Sequence, residues 1–250
     1  MSEGVREFFG RHAEGYAASE SHRQGADLGL LMDALAVKEG ERALDVATGT
    51  GFTAMALAER GATVTALDLT EPMLATARRL AADRGIEGIR WVEGDAARLP
   101  FADRSFDIVT SRRAAHHFPD VGRALAEWAR VLVSSGRVGV ADMCPPAAGA
   151  ALLDTLERIR DSSHVSALTE ERWRAALREQ GFTVRSLVIE EEVRTLAQWF
   201  YPVPMAEKAV EAVRRALAQA PAAALRALRV EGTGEDVRLL KRRAVIVATR

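Results

Sequence analysis

Apolar positions along this chain fall into two periods, and their alternation predicts the architecture. Arg42–Val46, Thr63–Leu69, Ile89–Glu93, Phe106–Ser111 and Arg137–Asp142 are short, apolar and rich in β-branched residues, the pattern of buried strands. Between them the apolar spacing becomes helical: Phe52–Glu59 carries Met55, Ala56 and Leu57, the segment from Pro72 to Arg84 ends at Gly85, and Asp120–Leu132 follows Pro119. Strands that alternate with helices imply right-handed crossovers, hence a mostly parallel sheet covered on both faces. Before the first strand, Val5–Gly15 and Tyr16–Leu35 predict two helices. The polar stretch from Tyr16 to Gly25 is either a surface connection or a flap over the loop after the first strand.

Beyond Pro145 and Pro146 the pattern predicts helices at Ala150–Asp161 and Glu170–Gln180, the second capped by Thr169 and closed by Gly181. A sixth strand is expected at Thr183–Glu191, helices at Met205–Ala218 and Ala222–Val230, and a seventh strand at Lys241–Thr249. The fold class is therefore α/β with a seven-stranded sheet. Residues 1–40 read as N-terminal helices that close over the site, 41–192 and 237–250 as the core, and 193–236 as a helical cap inserted before the last strand.

Composition narrows the classes of function. With a formal net charge of −1, acids and bases interspersed, no summed field draws the protein to nucleic acid or to an anionic membrane. A small-molecule partner is expected, with the protein as monomer or homodimer. Cys144, the single cysteine, excludes an internal disulfide and a thiolate metal cluster, and reads as a small buried hydrophobe; no metal is expected. The N-terminus lacks the basic start and apolar run of a signal peptide, which points to the cytoplasm.

The chemistry begins at Leu44–Thr53, an apolar strand that ends in Asp45 and opens through Gly49 and Gly51 into a helix. Such a bend admits positive φ and brings unpaired backbone N–H groups towards a nucleotide-like ligand. Gly49–Ala54 also satisfies a loose dinucleotide fingerprint, with Asp68 about twenty residues further on. Asp45, Asp68, Asp95 and Ser111 fall at the ends of successive strands, on the rim where parallel sheets bind ligands. The NAD reading leaves Asp95 without a role.

Four ordered motifs go further. Leu44-Asp45-Val46-Ala47-Thr48-Gly49-Thr50-Gly51, Ala66-Leu67-Asp68-Leu69 with Pro72-Met73-Leu74, Glu93-Gly94-Asp95-Ala96 with Leu99-Pro100-Phe101, and Ser105-Phe106-Asp107 together resemble a class I S-adenosylmethionine-dependent methyltransferase, nearest the ubiquinone and menaquinone methyltransferase-like (type 11) branch. The resemblance is close over roughly residues 40–145. It departs at Ala47, where many members carry a first glycine. It implies a Rossmann-like fold and S-adenosylmethionine as cofactor, held by Asp45, Ala47, Gly49, Gly51, Asp68, Leu69, Met73, Asp95, Ala96 and Ser111. Tyr16, His22 and Arg23 are the N-terminal candidates for closing over cofactor or acceptor. In this reading Asp68 accepts from the ribose hydroxyls and Asp95 from the adenine amino group.

Methyl transfer is an in-line displacement that needs a positioned nucleophile and often one base. The segment after the fourth strand is where the family's acceptor-facing residues lie; here it holds His116 and His117, whose ordinary pKa suits general-base work. Arg112, Trp199 and Tyr201 are the candidates for the methyl-acceptor pocket, whereas Lys241-Arg242-Arg243 reads as a solvated strand end. No Asn-Pro-Pro-Tyr-like run follows the fourth strand, which disfavours amino-group methylation of bases or glutamine. The expected reaction is methylation of O, C or N of a small, partly aromatic molecule. A non-catalytic S-adenosylmethionine-binding protein and an NAD-dependent oxidoreductase are the alternatives.

Overall fold

The computed structural model describes residues 3–201 and 206–250, so Pro202, Val203 and Pro204 of the aromatic and proline run lie outside the described residues. Three helices come first: α1 (Glu3–Ala18), α2 (Glu20–Gln24) and α3 (Ala26–Leu35). The alternating core follows as β1 (Arg42–Val46), α4 (Phe52–Ala58), β2 (Thr63–Asp68), α5 (Glu71–Asp83), β3 (Arg90–Glu93), β4 (Phe106–Arg112), α6 (Val121–Val131) and β5 (Leu132–Met143). The last part comprises α7 (Ala150–Arg160), α8 (Glu170–Glu179), β6 (Thr183–Thr195), α9 (Leu196–Phe200), α10 (Glu207–Gln219), α11 (Ala222–Ala227) and β7 (Arg238–Thr249). Among the described residues no helix is long and apolar enough to cross a membrane.

The strands form one sheet in the order β3-β2-β1-β4-β5-β7-β6. β1 to β5 pair in parallel, whereas β7 runs antiparallel to both β5 and β6. Because β7 is reversed, its beginning, not its end, reaches the rim where the parallel strands finish: Arg243 stands opposite Met143. One face of the sheet buries Trp128 and Trp173 with Leu44, Val109 and Val140; another cluster packs Leu31, Met32 and Leu35 of α3 on Ala43, Ile108 and Val245. A separate apolar cluster joins Leu153 and Leu156 of α7 to Trp199 and Phe200 of α9 and to Val213 and Leu217 of α10.

Two segments differ from the sequence reading for physical reasons. The expected second helix over Tyr16–Leu35 is broken at Gly25, which is extended (φ −60°, ψ 141°). No side chain fits there, since a Cβ would come within 2.4 Å of the Arg113 guanidinium and the Asp27 carboxylate. The polar stretch thus folds back on the core as the short helix α2. The antiparallel β6–β7 pairing is also longer than its apolar residues suggest, running through Thr195 and Arg238. Glu190 and Glu191 stand opposite Arg243 and Arg242 and pair with them at 3.2 and 3.3 Å, so opposite charges across the strands support the pairing that apolar residues support elsewhere; Glu192 stands opposite Lys241 without pairing with it.

Candidate functional site

The loop after β1 borders an open cavity. Gly49 is in the left-handed region (φ 54°), and a Cβ there would meet nothing within 4 Å, so the backbone is open to the cavity. Its N–H donates to Asp68 Oδ2 at 2.8 Å, while the N–H and the hydroxyl of Thr70 each donate to Oδ1 at 3.0 Å. Burial pushes the Asp68 pKa up against these hydrogen bonds, which leaves a desolvated carboxylate suited to accepting from neighbouring hydroxyls. Ala47, Leu69, Met73 and Tyr16 join Gly49 and Asp68 in the cavity wall. Ala47 holds φ 54°, the conformation a glycine there would supply, at a strain of roughly 1 kcal/mol.

Other expected cofactor residues stand elsewhere. Asp45 is buried below the loop, its oxygens accepting from Thr48 Oγ1 at 2.6 Å and Thr110 Oγ1 at 2.7 Å. Burial pushes its pKa up to about 6, and it shapes the loop without lining the cavity. Gly51 does not line it either: φ is 82°, and a Cβ would come within 2.9 Å of the Trp91 ring, so glycine is required there for packing. Ser111 is buried within β4, and Arg23 is exposed on α2, the neighbouring His22 taking the place in the wall. Asp95 and Ala96 border an adjoining cleft, which shares Phe118 with the main cavity.

Arg112 borders the cavity, but its guanidinium is fully engaged. It donates to Asp27 Oδ2 at 2.8 Å, to Asp27 Oδ1 at 2.9 Å and to the His22 carbonyl at 2.8 Å. Arg113 grips the same carboxylate at 2.8 and 2.7 Å. Asp27 is completely buried, and although burial opposes its ionisation, the two guanidiniums hold its carboxyl far below the usual carboxylate range. Arg112 is therefore a strut that ties α2 and α3 to the end of β4, not a group free for a substrate.

A second, smaller chamber shares Phe9, Tyr16, His22, Arg113 and His117 with the first. The two histidines differ in kind. His116 lines only the second chamber; its Nδ1 is 2.5 Å from Asp142 Oδ1. Burial disfavours its charged form, yet the Asp142 carboxylate holds its pKa above the ordinary value. His117 lines both chambers, and its pKa is pushed well down by burial and by His116, so it is neutral. The Ser163 hydroxyl donates to Asp161 Oδ1 at 2.5 Å and lies 3.1 Å from His117 Nδ1. The hydroxyl proton being spent on Asp161, the Ser163 oxygen accepts from Nδ1–H, which leaves Nε2 with a lone pair. Asp161 Oδ2, 3.9 Å from Nε2, stabilises a proton arriving there. The Phe9 ring meets the His117 ring edge to face at 4.9 Å and shields it from water.

Of the two predicted acceptor aromatics, only Tyr201 lines the second chamber, its hydroxyl donating to the Ala18 carbonyl at 3.4 Å. Trp199 is buried among the α7 and α10 side chains, its indole N–H donating to Glu157 at 3.1 Å, and lies outside both chambers. Conversely, Lys241 and Arg243 are not a solvated strand end. Both line the second chamber with Arg160, because the antiparallel β7 begins at this rim. Sequence patterning also missed Asp142, at the end of the strand next to β4, and Asp161, just beyond α7. Among the described residues no three His, Cys, Asp or Glu side chains are placed to hold a metal ion.

Comparison with known proteins agrees with the fold. Residues 44–140 match the family model described as methyltransferase domain. The chain is 34% identical over 197 residues to an uncharacterized methyltransferase, YcgJ, of Bacillus subtilis (strain 168), covering 78% of this chain and 74% of that protein. The crystal structure of the Bacillus subtilis YcgJ protein superposes with a TM-score of 0.84 at 28% identity, over 90% of this chain and 97% of that one. A demethylmenaquinone methyltransferase of Thermus thermophilus is 46% identical over 131 residues, which is 50% of this chain and 59% of that protein.

Proposed function

The chain belongs to the class I S-adenosylmethionine-dependent methyltransferases of the ubiquinone and menaquinone methyltransferase-like branch, and from that premise we propose that it methylates O, C or N of a small, partly aromatic molecule seated in the second chamber. One observation carries the reading: His117 stands in the wall common to both chambers. S-adenosylmethionine, when bound, supplies a methyl carbon already activated by the adjoining sulfonium. The residues that would hold it fit its chemistry. The desolvated Asp68 carboxylate answers ribose hydroxyls, the open backbone at Gly49 admits the polar methionine end, and Leu69, Met73 and Phe118 offer apolar surface. His117 Nε2 takes the proton of the methyl acceptor, Asp161 stabilises the resulting imidazolium, and Ser163 holds the tautomer. Asp142 raises the pKa of His116 beside it, and Phe9 and Tyr16 exclude water.

Titration of the protein with S-adenosylmethionine, S-adenosylhomocysteine and NAD side by side tests the cofactor assignment. Micromolar binding of the first two alone is expected, whereas preferential NAD binding would move Asp68 into a dehydrogenase role. Asp68→Ala should weaken S-adenosylhomocysteine about 10- to 100-fold, the effect of removing the ribose partner and leaving the Gly49 and Thr70 N–H groups unpaired. Unchanged affinity would remove Asp68 from the site. A first panel of methyl acceptors should contain quinols and phenols, since relatives named as demethylmenaquinone methyltransferases match half of this chain.

A further inference from the structure

The second chamber has an unbalanced charge. Arg113, Arg160, Lys241 and Arg243 line it with the carboxylates of Asp142 and Asp161; Arg113 is held by Asp27 and Arg160 by Glu157 at 3.0 Å, which leaves Lys241 and Arg243 as the cations not fully matched. Both carboxylates are engaged. Asp142 accepts from His116 and from the Met143 N–H at 2.6 Å, and Asp161 from the N–H and hydroxyl of Ser163. Lys241 and Arg243, two residues apart on β7, share one face of the strand. The acids opposite them are also committed. Glu190 takes Arg243 Nη1 at 3.2 Å, but Glu192, directly across from Lys241, pairs with Arg194 at 2.7 Å.

Lys241 is therefore left without a hydrogen bond or ion pair among the described residues. The Arg243 side chain is 3% exposed, and its Nη2 has no partner; neither has Nε of Arg160. Burial and the guanidiniums of Arg243, Arg194, Arg160 and Arg113 push the Lys241 pKa far down. An oxyanion placed beside these groups would favour the Lys241 ammonium and pair the free Nη2 of Arg243.

Building on the assignment of this chamber to the methyl acceptor, we propose that Lys241 and Arg243 bind an oxyanion of that acceptor, a carboxylate or a phosphate, so that the substrate is an anionic, partly aromatic molecule. A guanidinium with a free Nη2 and an ammonium two residues away suit the paired oxygens of such a group. The rings of Phe9 and Tyr16 line the same chamber and offer an apolar wall for the remainder. An anionic acceptor also complements the positive sulfonium in the neighbouring chamber, whereas a neutral quinol would leave both sides of the reaction centre cationic.

The test is calorimetric titration of the protein loaded with S-adenosylhomocysteine, using benzoate, phenyl phosphate and the neutral isostere benzamide. At least one anion should bind ten-fold or more tightly than benzamide, and the tighter of the two identifies carboxylate or phosphate. Lys241→Met should weaken that anion at least ten-fold, and Lys241→Arg should retain it. The Met variant should melt close to the wild type, because Lys241 is half-buried and the change removes no hydrogen bond or ion pair, so lost binding cannot be ascribed to lost folding. Equal binding of benzamide, no binding of either anion at millimolar concentration, or an unaltered Lys241→Met protein would overturn the oxyanion site. The acceptor assignment is tested separately by methyl transfer to hydroxybenzoates and to neutral quinols. Transfer to quinols that Lys241→Met leaves unchanged refutes the anion and keeps the chamber. Tight anion binding with no transfer to any anionic acceptor keeps the anion site and refutes the chamber's role.

Discussion

Asp27→Ala is expected to destabilise the protein by about 3 to 5 kcal/mol, the range for removing one partner from a buried ion pair. The size follows from the geometry: one fully buried carboxylate neutralises Arg112 and Arg113 together, so its loss leaves two desolvated guanidiniums with no counter-charge. For a chain of this length the melting temperature should fall by about 10 °C. His22 and Tyr16, carried by the N-terminal helices, would lose their placement in the cavity wall, so S-adenosylhomocysteine binding should weaken as well. A melting point within about 2 °C of the wild type would show that α2 and α3 are anchored some other way. The same carboxylate sets a pH dependence. Its folded-state pKa lies far below its unfolded value of about 3.9, so the stabilisation is fully present above that value and is lost progressively as the pH falls beneath it. Asp27→Asn should flatten that acid limb in stability measurements from pH 5 to pH 2.

His117→Ala should lower kcat by about 10²- to 10⁴-fold, the usual contribution of a positioned general base, while S-adenosylhomocysteine affinity changes only a few-fold. His116→Asn should cost less, because His116 is engaged with Asp142 and borders only the second chamber. Retained turnover in the His117 variant would take this residue out of the mechanism, and retained turnover in both would take out the pair. Burial and the neighbouring His116 depress the His117 pKa well below 6.5, so the neutral, proton-accepting form persists into mildly acidic solution. The kcat profile should therefore stay level through pH 6.5 and decline only beneath it. In Asp142→Asn, His116 loses the carboxylate that raises its pKa, its repulsion on His117 relaxes, and the acid limb should move to higher pH.

The alternation of strands and helices, the bend at Gly49 and the rim position of Asp68 were legible because each rests on interactions within one short stretch of chain. A buried parallel strand must be apolar throughout, a helix packed on it must repeat its apolar residues every three to four positions, and a tight turn between them needs residues that tolerate positive φ. Asp45 and Gly51 show where the same local reasoning stops. Both residue types are required at their positions, but the chain bends so that Asp45 faces two threonine hydroxyls and Gly51 faces the Trp91 ring, not the cavity. Trp199 shows the same for an aromatic, which serves a core as readily as a pocket.

The sequence by itself determined the α/β core, the family resemblance of residues 40–145 and the segment that carries the two histidines. Only the tertiary structure decided which histidine stands between the chambers, since adjacent residues carry the same local signal and are separated by the packing of Phe9, Asp142 and Ser163 around them. It also decided that Asp27 and Arg112, 85 positions apart, neutralise each other. Lys241 and Arg243 make the same point most plainly. A basic run at a strand end reads as solvated, but the antiparallel course of β7 brings it to the ligand rim, a matter of chain direction that a stretch of sequence does not encode.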